Sequence, residues 1–211
     1  ELNKPVYEIL GGQVHKKLRS YTYLYPKKSD KTDVYNDANL AAERASEYLE
    51  AGFTAIKFDP VGPYTPLDPR QLTSEDLSRV ENFVKTIHGS VKNKCDLLIG
   101  THGQMTTSSA IRLAKRLEKF DPMWFEEPVP PENYEEMGRV ALSTSIPIAT
   151  GERLTTKYEF SKVLQSHAAS ILQINLGRAG GILEGKKLIL KENITILGQI
   201  NFFWKKIKKV F

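Results

Sequence analysis

The stretch Asp121–Pro131, DPMWFEEPVPP, decides the fold, because a short apolar run in it ends in two adjacent acids and is then stopped by prolines. The apolar residues Met123–Phe125 predict a buried strand. Glu126 and Glu127 would then lie at its carboxyl end, and the prolines after them do not fit a central strand. The stretch therefore predicts a strand that delivers charge to one edge of a sheet.

Outward from this stretch, short apolar runs alternate with longer segments of helical period. The predicted strands are Leu18–Tyr25, Thr54–Phe58, Asp96–Gly100, Met123–Phe125, Ile146–Ala149 and Ser170–Asn175. The predicted helices are Asn39–Ala51, Ser74–His88, Thr107–Lys119, Glu132–Leu142, Lys157–Gln165 and Leu183–Lys191. Repeated strand–helix–strand units imply parallel strands joined by right-handed crossovers, which is an α/β fold.

Two parallel architectures compete, an open doubly wound sheet and a (β/α)₈ barrel. The first predicted strand runs into Tyr25-Pro-Lys-Lys, which is unlike the glycine-rich phosphate loop of dinucleotide folds. Six strand–helix units in sequence favour the barrel. A full barrel takes typically about 250 residues, whereas this chain has 211 and starts its first strand only near residue 18. We therefore predict a partial TIM-type barrel that lacks its last strands.

Composition and charge exclude several classes of partner. The net charge of +5 is mild, and part of it lies in the C-terminal tail WKKIKKVF. That tail suits nucleic acid or a membrane surface, but no basic stripe occurs elsewhere, so we expect neither partner. Apolar runs do not reach the roughly 18–20 residues that cross a bilayer. The single cysteine, Cys95, rules out an intrachain disulfide and predicts a reducing compartment, the cytoplasm.

Polar side chains follow five consecutive predicted strands, at the point where each strand ends. In chain order they are Lys57 with Asp59, then His102, Glu126, Glu152 with Arg153, and Asn175. The carboxyl ends of parallel barrel strands meet at one rim, where barrel enzymes carry their active sites. We therefore expect these side chains to lie close together in a site.

Two of these groups suit a metal ion. Carboxylates on adjacent parallel strands can share a divalent cation, and hard oxygen ligands favour Mg²⁺. A lysine and a histidine nearby would donate or accept protons. The combination suits abstraction of a proton α to a carboxylate, where the metal stabilises the enediolate.

Each rim residue also has a structural interpretation, and these alternatives stay open. Glu126 or Glu127 also fits the first turn of the helix that follows, and Glu152 fits a surface ion pair with Arg153. Lys57 also fits a side chain that snorkels from a strand end, and His102 fits a loop cap. For the rim to be purely structural, however, an interpretation of this kind would have to hold at all five strands.

Six stretches carry a resemblance to a known family. They are KPVYEILGG (Lys4–Gly12), TAIKFDP (Thr54–Pro60), THGQ (Thr101–Gln104), DPMWFEEPVPPEN (Asp121–Asn133), SIPIATGERLTTKYEF (Ser145–Phe160) and ILQINLGRAGGILEGKK (Ile171–Lys187). Together they resemble the enolase superfamily, in its mandelate racemase/muconate lactonizing enzyme-like branch of acid-sugar dehydratases and lactone cycloisomerases. The resemblance covers roughly Lys4–Lys187.

The resemblance implies a Mg²⁺ cofactor held by acids at the ends of strands 3, 4 and 5. Glu126 in the EEP motif corresponds to the strand-4 ligand, and Glu152 in GER corresponds to the strand-5 ligand. The strand-3 ligand is missing, because Gly100 stands where the family has an acid. His102, a water molecule or Asp59 would have to take its place.

The resemblance also implies catalytic and binding roles. Lys57 corresponds to the lysine that binds the substrate carboxylate or enediolate, and His102 corresponds to the acid that protonates the departing hydroxyl. The second strand-2 lysine is replaced by Asp59, so racemisation through it is not expected. Asp59, Asn175, Arg153 and Lys157 are the predicted substrate contacts, although Arg153 and Lys157 also fit ordinary surface charges.

The C-terminal part departs from the family pattern. Asn175 stands where the family pairs an aspartate with its general-base histidine, and we find no such histidine after residue 187. We therefore expect a fragment: residues 1–17 as the end of a capping domain or linker, 18–187 as a partial barrel with strands 1–6, and 188–211 as a divergent basic tail. Poor solubility and no useful turnover are expected of the chain alone.

These expectations combine into one function and one alternative. The predicted function is a Mg²⁺-dependent lyase or isomerase that dehydrates an acid sugar or cycloisomerises its lactone through an enediolate. The expected partner is a small-molecule sugar acid or its lactone, and the complete enzyme is expected to form a homo-oligomer. The alternative is a non-catalytic family member that keeps only the scaffold.

Overall fold

The computed structural model describes residues 3–62 and 69–189, in which strands and helices alternate along the chain. The strands are β1 (Thr22–Tyr23), β2 (Ala55–Phe58), β3 (Asp96–Gly100), β4 (Trp124–Glu126), β5 (Ile148–Thr150) and β6 (Ile171–Leu172). The helices are α1 (Val6–Ile9), α2 (Ala38–Glu50), α3 (Ser74–Val91), α4 (Thr107–Leu117), α5 (Tyr134–Leu142), α6 (Lys157–Gln165) and α7 (Ile182–Ile189).

The six strands form one parallel sheet in the order β1-β2-β3-β4-β5-β6. Each strand therefore pairs with the next one along the chain, without the reversal of order that defines a doubly wound sheet. This order confirms the predicted α/β, TIM-type architecture. The register pairs Gly100 with Glu126, so the ends of β3 and β4 lie side by side.

The two faces of the sheet differ in what covers them. One face packs against the helices in a large apolar core that includes Ile56, Ile99 and Phe125. The other face carries a smaller cluster with one residue from each of β2–β6: Ala55, Leu98, Trp124, Ala149 and Ile171. This alternation along the strands is the period of two expected for parallel barrel strands.

Side-chain caps fix where two of the helices begin. Thr73 accepts a hydrogen bond from Asp76 N, and the Asp76 carboxylate accepts one from Thr73 N, which makes a capping box before α3. Thr156 and Glu159 make the same arrangement before α6. These caps satisfy amide groups that have no partner within a helix.

Several predicted bounds need correction. Within the strand predicted over Leu18–Tyr25, only Thr22–Tyr23 form a strand, and Leu18 is 66% exposed. The strand predicted over Ser170–Asn175 ends at Leu172. β4 extends one residue beyond the prediction and includes Glu126 itself. The short helix α1 was not predicted.

Some sequence-based expectations fall outside what the structure tests. The basic tail lies in residues 190–211, beyond the described ranges, and the proposed division at residues 17 and 187 remains a prediction. Cys95 is a free, buried thiol. Within residues 3–62 and 69–189, no helix combines the length and the apolar character needed to cross a bilayer.

Candidate active site

The predicted rim residues come from the carboxyl ends of consecutive strands. Lys57 lies within β2, with Asp59 just after it. His102 follows β3, Glu126 ends β4, and Glu152 follows β5. The parallel register brings the ends of these strands to one edge, as the sequence predicts.

Lys57 and Glu126 form a buried ion pair. The Lys57 Nζ donates a hydrogen bond to Glu126 Oε1 at 2.7 Å, and it also lies 2.7 Å from Oε2. The second contact lacks the angles of a hydrogen bond, so Oε2 is buried without accepting one. Burial lowers the pKa of Lys57, but the Glu126 carboxylate and nearby groups outweigh it and hold that pKa above its usual value.

The absence of a side chain at Gly100 makes room for Asp59. A Cβ built on Gly100 would overlap Asp59 Oδ1 and would lie 3.2 Å from Lys57 Cε. The Asp59 carboxylate therefore occupies the space where a side chain at the end of β3 would begin. Lys57 and Asp59 therefore point to the same side of β2.

Asp59 faces a tyrosine and the predicted histidine. The Tyr23 hydroxyl donates to the carboxylate and lies 3.0 Å from Oδ1 and 2.9 Å from Oδ2. His102 Nδ1 lies 3.6 Å from Asp59 Oδ2, an ion-pair distance rather than a hydrogen bond. Burial, and then the Asp59 charge, raise the pKa of Tyr23 far above its usual value, so the hydroxyl remains a donor.

The loop that carries His102 is held by the strand-4 rim. Thr101 Oγ1 donates to the carbonyl oxygens of Glu126 and Glu127, at 3.0 and 2.8 Å. Arg153 joins Glu127 Oε2, at 2.9 Å, to the His102 carbonyl oxygen, at 3.0 Å. His102 itself adopts a positive φ of 51°, so its backbone is fixed in an uncommon conformation.

Glu127 is a buried acid with one oxygen that accepts no hydrogen bond. Burial raises its pKa to about 7, against the opposing charge of Arg153. The ion-pair partner of Arg153 is therefore Glu127, and the structural alternative of a surface ion pair between Glu152 and Arg153 is wrong. The reason is that Glu127 and Arg153 come from neighbouring strand ends, whereas Glu152 and Arg153 are adjacent in sequence.

Two predicted substrate contacts, Asn175 and Lys157, have other contacts in the structure. Asn175 Oδ1 accepts hydrogen bonds from the Gly177 and Arg178 amides, which fixes the turn after β6. Lys157 is exposed at the start of α6, where its Nζ lies 5.3 Å from the ring of Tyr158. Neither is gathered with the Lys57–Glu126 pair by any contact between described residues.

The structure bears on the structural interpretations of Glu126 and Lys57. Glu126 does not serve the helix that follows, because α5 begins at Tyr134 with Glu135 and Glu136 in its first turn. Lys57 does not snorkel, because it is 1% exposed. These two structural interpretations are therefore wrong, and the role of the rim as a site stays a prediction.

The sequence of the chain matches a known protein family. The profile of the family described as "Enolase C-terminal domain-like" matches residues 40–190, which include β2–β6 and all of the predicted rim residues. The chain belongs to the enolase C-terminal domain-like family.

Relatives of this enolase-like domain carry acid-sugar dehydratase names. The chain is 33% identical over 190 residues to a D-xylonate dehydratase from Haloferax volcanii, and 31% identical over 188 residues to a D-gluconate/D-galactonate dehydratase from Picrophilus torridus. The matches cover 89% of this chain and 45% and 46% of those proteins. The chain thus spans about half the length of the curated relatives it matches.

A solved structure supports the same placement. The enolase-like chain superposes on a mandelate racemase/muconate lactonizing enzyme-like protein from Roseovarius sp. TM1035 with a TM-score of 0.88 and 47% identity. That match covers 92% of this chain and 50% of the other.

The enolase-like family implies a Mg²⁺ ion, for which Glu126 and Glu152 are the candidate ligands. Glu126 Oε2 is buried without a hydrogen bond, although Lys57 Nζ lies 2.7 Å from it, and Glu152 follows the neighbouring strand. In the part of the chain that the structure describes, no three histidine, cysteine, aspartate or glutamate side chains gather as a metal site. A Mg²⁺ ion bound at Glu126 would therefore depend on Glu152, water and substrate oxygens for its other ligands.

Sequence reasoning missed one residue of the enolase-like site. Tyr23 holds Asp59 through its hydroxyl. The signal was present in the alternation of Tyr21 and Tyr23, which places both rings on one side of the first strand. The link between Tyr23 and Asp59 needs the register of β1 on β2, which the sequence does not give.

Proposed function

We propose that this protein is a Mg²⁺-dependent lyase or isomerase of acid sugars, acting by abstraction of the proton α to a carboxylate. Dehydration is the favoured reaction, with cycloisomerisation of a lactone as the variant of the same chemistry. The observation that carries the proposal is the convergence of Lys57, Asp59 and Glu126 around Gly100, with His102 facing Asp59. The dehydratase names of the relatives support the substrate class.

Glu126 and Glu152 are the residues that would hold Mg²⁺. When bound, the ion would stabilise the negative charge that develops on the substrate carboxylate as it becomes an enediolate. Waters and substrate oxygens would complete its shell, as Mg²⁺ usually requires.

Lys57 binds the substrate carboxylate in this proposal. An ammonium group has three N–H donors, and the described hydrogen bond to Glu126 uses one of them. Burial removes competing water, which strengthens the attraction between the ammonium and an incoming carboxylate. The positive charge is therefore placed where the enediolate charge grows.

His102 is the acid that protonates the departing hydroxyl. It follows β3 with a side chain 26% exposed, so it combines a fixed backbone with access to a ligand. Arg153 serves the loop rather than the substrate, because it binds Glu127 and the His102 carbonyl oxygen. The general base is expected outside the described residues, and the sequence assigns it to no residue.

The test is exchange of the substrate α-proton. The protein at its full natural length is incubated in D₂O with Mg²⁺ and gluconate, galactonate or xylonate, and proton NMR follows loss of the α-proton signal and formation of a 2-keto acid. Glu126→Gln and Glu152→Gln should abolish both. Exchange that persists undiminished in both variants would overturn the metal assignment.

The alternative is a non-catalytic family member, and two departures favour it. Gly100 removes the strand-3 acid, and Asn175 is committed to a turn. In that case no acid sugar would lose its α-proton, although ligand binding would still raise the melting temperature.

A further inference from the structure

We propose that Asp59 is a positioning residue that orients His102 for proton transfer, and that Gly100 and Tyr23 are what allow it to do so. This inference rests on the proposed function, in which His102 is the acid. It assigns Asp59 to the histidine rather than to the substrate or the metal.

Gly100 leaves open the space through which Asp59 reaches His102. Asp59 follows β2, whereas His102 follows β3, so the carboxylate must cross the end of the neighbouring strand to reach the imidazole. At Gly100 a Cβ would overlap Asp59 Oδ1 and lie 3.3 Å from Asp59 Cγ. Any other residue at position 100 would displace the carboxylate from His102.

The second step is the restraint that Tyr23 supplies. Its hydroxyl contacts both carboxylate oxygens of Asp59, at 3.0 and 2.9 Å, from strand β1. Lys57 Nζ is paired with Glu126, whose charge raises the pKa of Lys57 more than the Asp59 charge does. The carboxylate is thereby held between the tyrosine and the histidine.

The third step is the orientation of the imidazole. Arg153 binds the His102 carbonyl oxygen, and the Gly103 amide donates to the Glu127 carbonyl oxygen at 2.7 Å, so the backbone on each side is fixed. His102 Nδ1 faces Asp59 Oδ2 at 3.6 Å. This distance is too long for a hydrogen bond, but the negative carboxylate facing Nδ1 favours a proton there electrostatically, and Nε2 is then the nitrogen that acts on the substrate.

The proton balance of the step is simple. The imidazolium gives its Nε2 proton to the departing hydroxyl as the carbon–oxygen bond breaks, and the hydroxyl leaves as water. The electron pair of the enediolate forms the new carbon–carbon double bond. His102 becomes neutral with its Nδ1 proton toward Asp59, and Asp59 remains ionised throughout, as the orienting acid of a catalytic triad does.

The Asp59 carboxylate has one alternative role. Asp59 could in principle replace the missing strand-3 acid as a third metal ligand. The described contacts favour the histidine, because the carboxylate faces Tyr23 and His102 and no three-ligand group forms in residues 3–62 and 69–189. The experiment therefore includes divalent-ion affinity as a separate measurement.

The test compares Asp59→Asn with Tyr23→Phe in the full-length protein, with Tyr48→Phe as the control. Tyr48, on α2, packs edge-on against Phe53, and neither is a rim residue. Long-range ¹H–¹⁵N correlation spectra report the tautomer of each of the four histidines, and His102→Asn assigns the signal. Asp59→Asn should remove the Nδ1-protonated form of His102, Tyr23→Phe should reduce it, and Tyr48→Phe should leave it unchanged.

Kinetics supply the second readout. Asp59→Asn should lower kcat for dehydration by about 10²-fold, at the low end of what general acid catalysis contributes. It should spare α-proton exchange and elimination of fluoride from a fluorinated analogue, which needs no proton donor. Mn²⁺ affinity should stay within about twofold of wild type.

Each other outcome overturns a specific statement. Unchanged His102 signals with unchanged kcat in Asp59→Asn would refute the positioning role, and a large loss of Mn²⁺ affinity would make Asp59 a metal ligand instead. Full dehydration by His102→Asn would refute the proposed function's acid while leaving the tautomer measurement interpretable. Circular dichroism and melting of each variant verify that the fold is intact.

Discussion

At the scale of single residues, we expect substitution of one member of the Lys57–Glu126 pair to lower the free energy of unfolding most. Its members are 1% and 3% exposed, so neither charge is compensated by water. Removing one partner of a buried pair leaves an uncompensated charge, whereas replacing both with apolar residues is often neutral. The pair therefore constrains the site more than it stabilises the protein.

Lys57→Met is expected to lower the free energy of unfolding by about 3–5 kcal/mol, because Glu126 would be buried without its partner. Lys57→Met with Glu126→Leu should recover most of that loss. Urea denaturation of the three proteins measures it. The exposed pair Lys187–Glu184 is the control, and Lys187→Met should change stability by about 0.5 kcal/mol or less. Equal losses in the single and double variants would contradict the prediction.

Gly103→Ala should destabilise the His102 loop more than Gly52→Ala destabilises the turn after α2. Both glycines have positive φ, of 69° and 94°, so both variants incur backbone strain of about 1 kcal/mol or more. A Cβ on Gly103 would also meet Pro130 Cα at 2.9 Å, whereas a Cβ on Gly52 meets nothing within 4 Å. The difference in urea midpoint isolates the close contact. Equal midpoints would show that the loop moves aside without cost.

At the scale of elements, helix starts in this chain depend on short-range caps. Thr73→Ala should lower the free energy of unfolding by about 1 kcal/mol, because α3 loses the side-chain acceptor of its capping box. Thr86→Ala, in the exposed middle of the same helix, replaces a hydroxyl that bonds only to the Asn82 carbonyl oxygen. That control should be neutral or stabilising, since alanine is the better helix former. Denaturant titration of both variants distinguishes cap loss from a general effect of threonine replacement.

Glu118 links the end of α4 to the segment before β5 and makes stability depend on pH. Its carboxylate accepts hydrogen bonds from Lys115, Ser145 and Thr144, which lower its pKa to about 2. A depressed pKa means that the carboxylate contributes stability above its unfolded value near 4.3, and that this contribution is lost as pH falls toward 2.

Glu118→Gln should therefore be less stable than wild type at pH 7, with the difference shrinking between about pH 4.5 and pH 2. Urea midpoints measured across that range provide the test. Glu184→Gln, at an exposed pair within α7, is the comparison and should show a smaller difference at pH 7. A constant gap at every pH would contradict the assigned role.

At the scale of the whole molecule, the described sheet has two open sides. β1 and β6 each pair with one neighbour among the described strands. Unpaired parallel edges are templates for pairing with another chain. We expect the 211-residue chain to associate as its concentration rises, which light scattering coupled to size exclusion would detect. A sharp monomer peak at all concentrations would contradict this expectation, and activity of such a monomer on an acid sugar would contradict the expected lack of turnover.

Much of the fold could be predicted because its determinants are local. The predicted bounds of β3 and α6 match the structure, since apolar period and a capping box lie within those segments. The predicted β1 and β6 are too long, because their flanking residues Leu24, Ser170 and Gln173 make only single backbone hydrogen bonds to the neighbouring strand and do not extend the ladder. Glu126, Lys57 and His102 were expected at the rim because each follows or ends an apolar run.

The sequence by itself determined the alternation of strands and helices, the α/β class and the delivery of charged groups to strand ends, since these depend on residues a few positions apart. Only the tertiary structure decided which charges meet. Lys57 pairs with Glu126 across 69 positions, and Tyr23 with Asp59 across 36. It also decided that Asp59 fills the space above Gly100 and that Glu127, not Glu152, holds Arg153. The physical reason is that strand register sets these contacts, and register is fixed by packing of the whole sheet rather than by any local stretch of sequence.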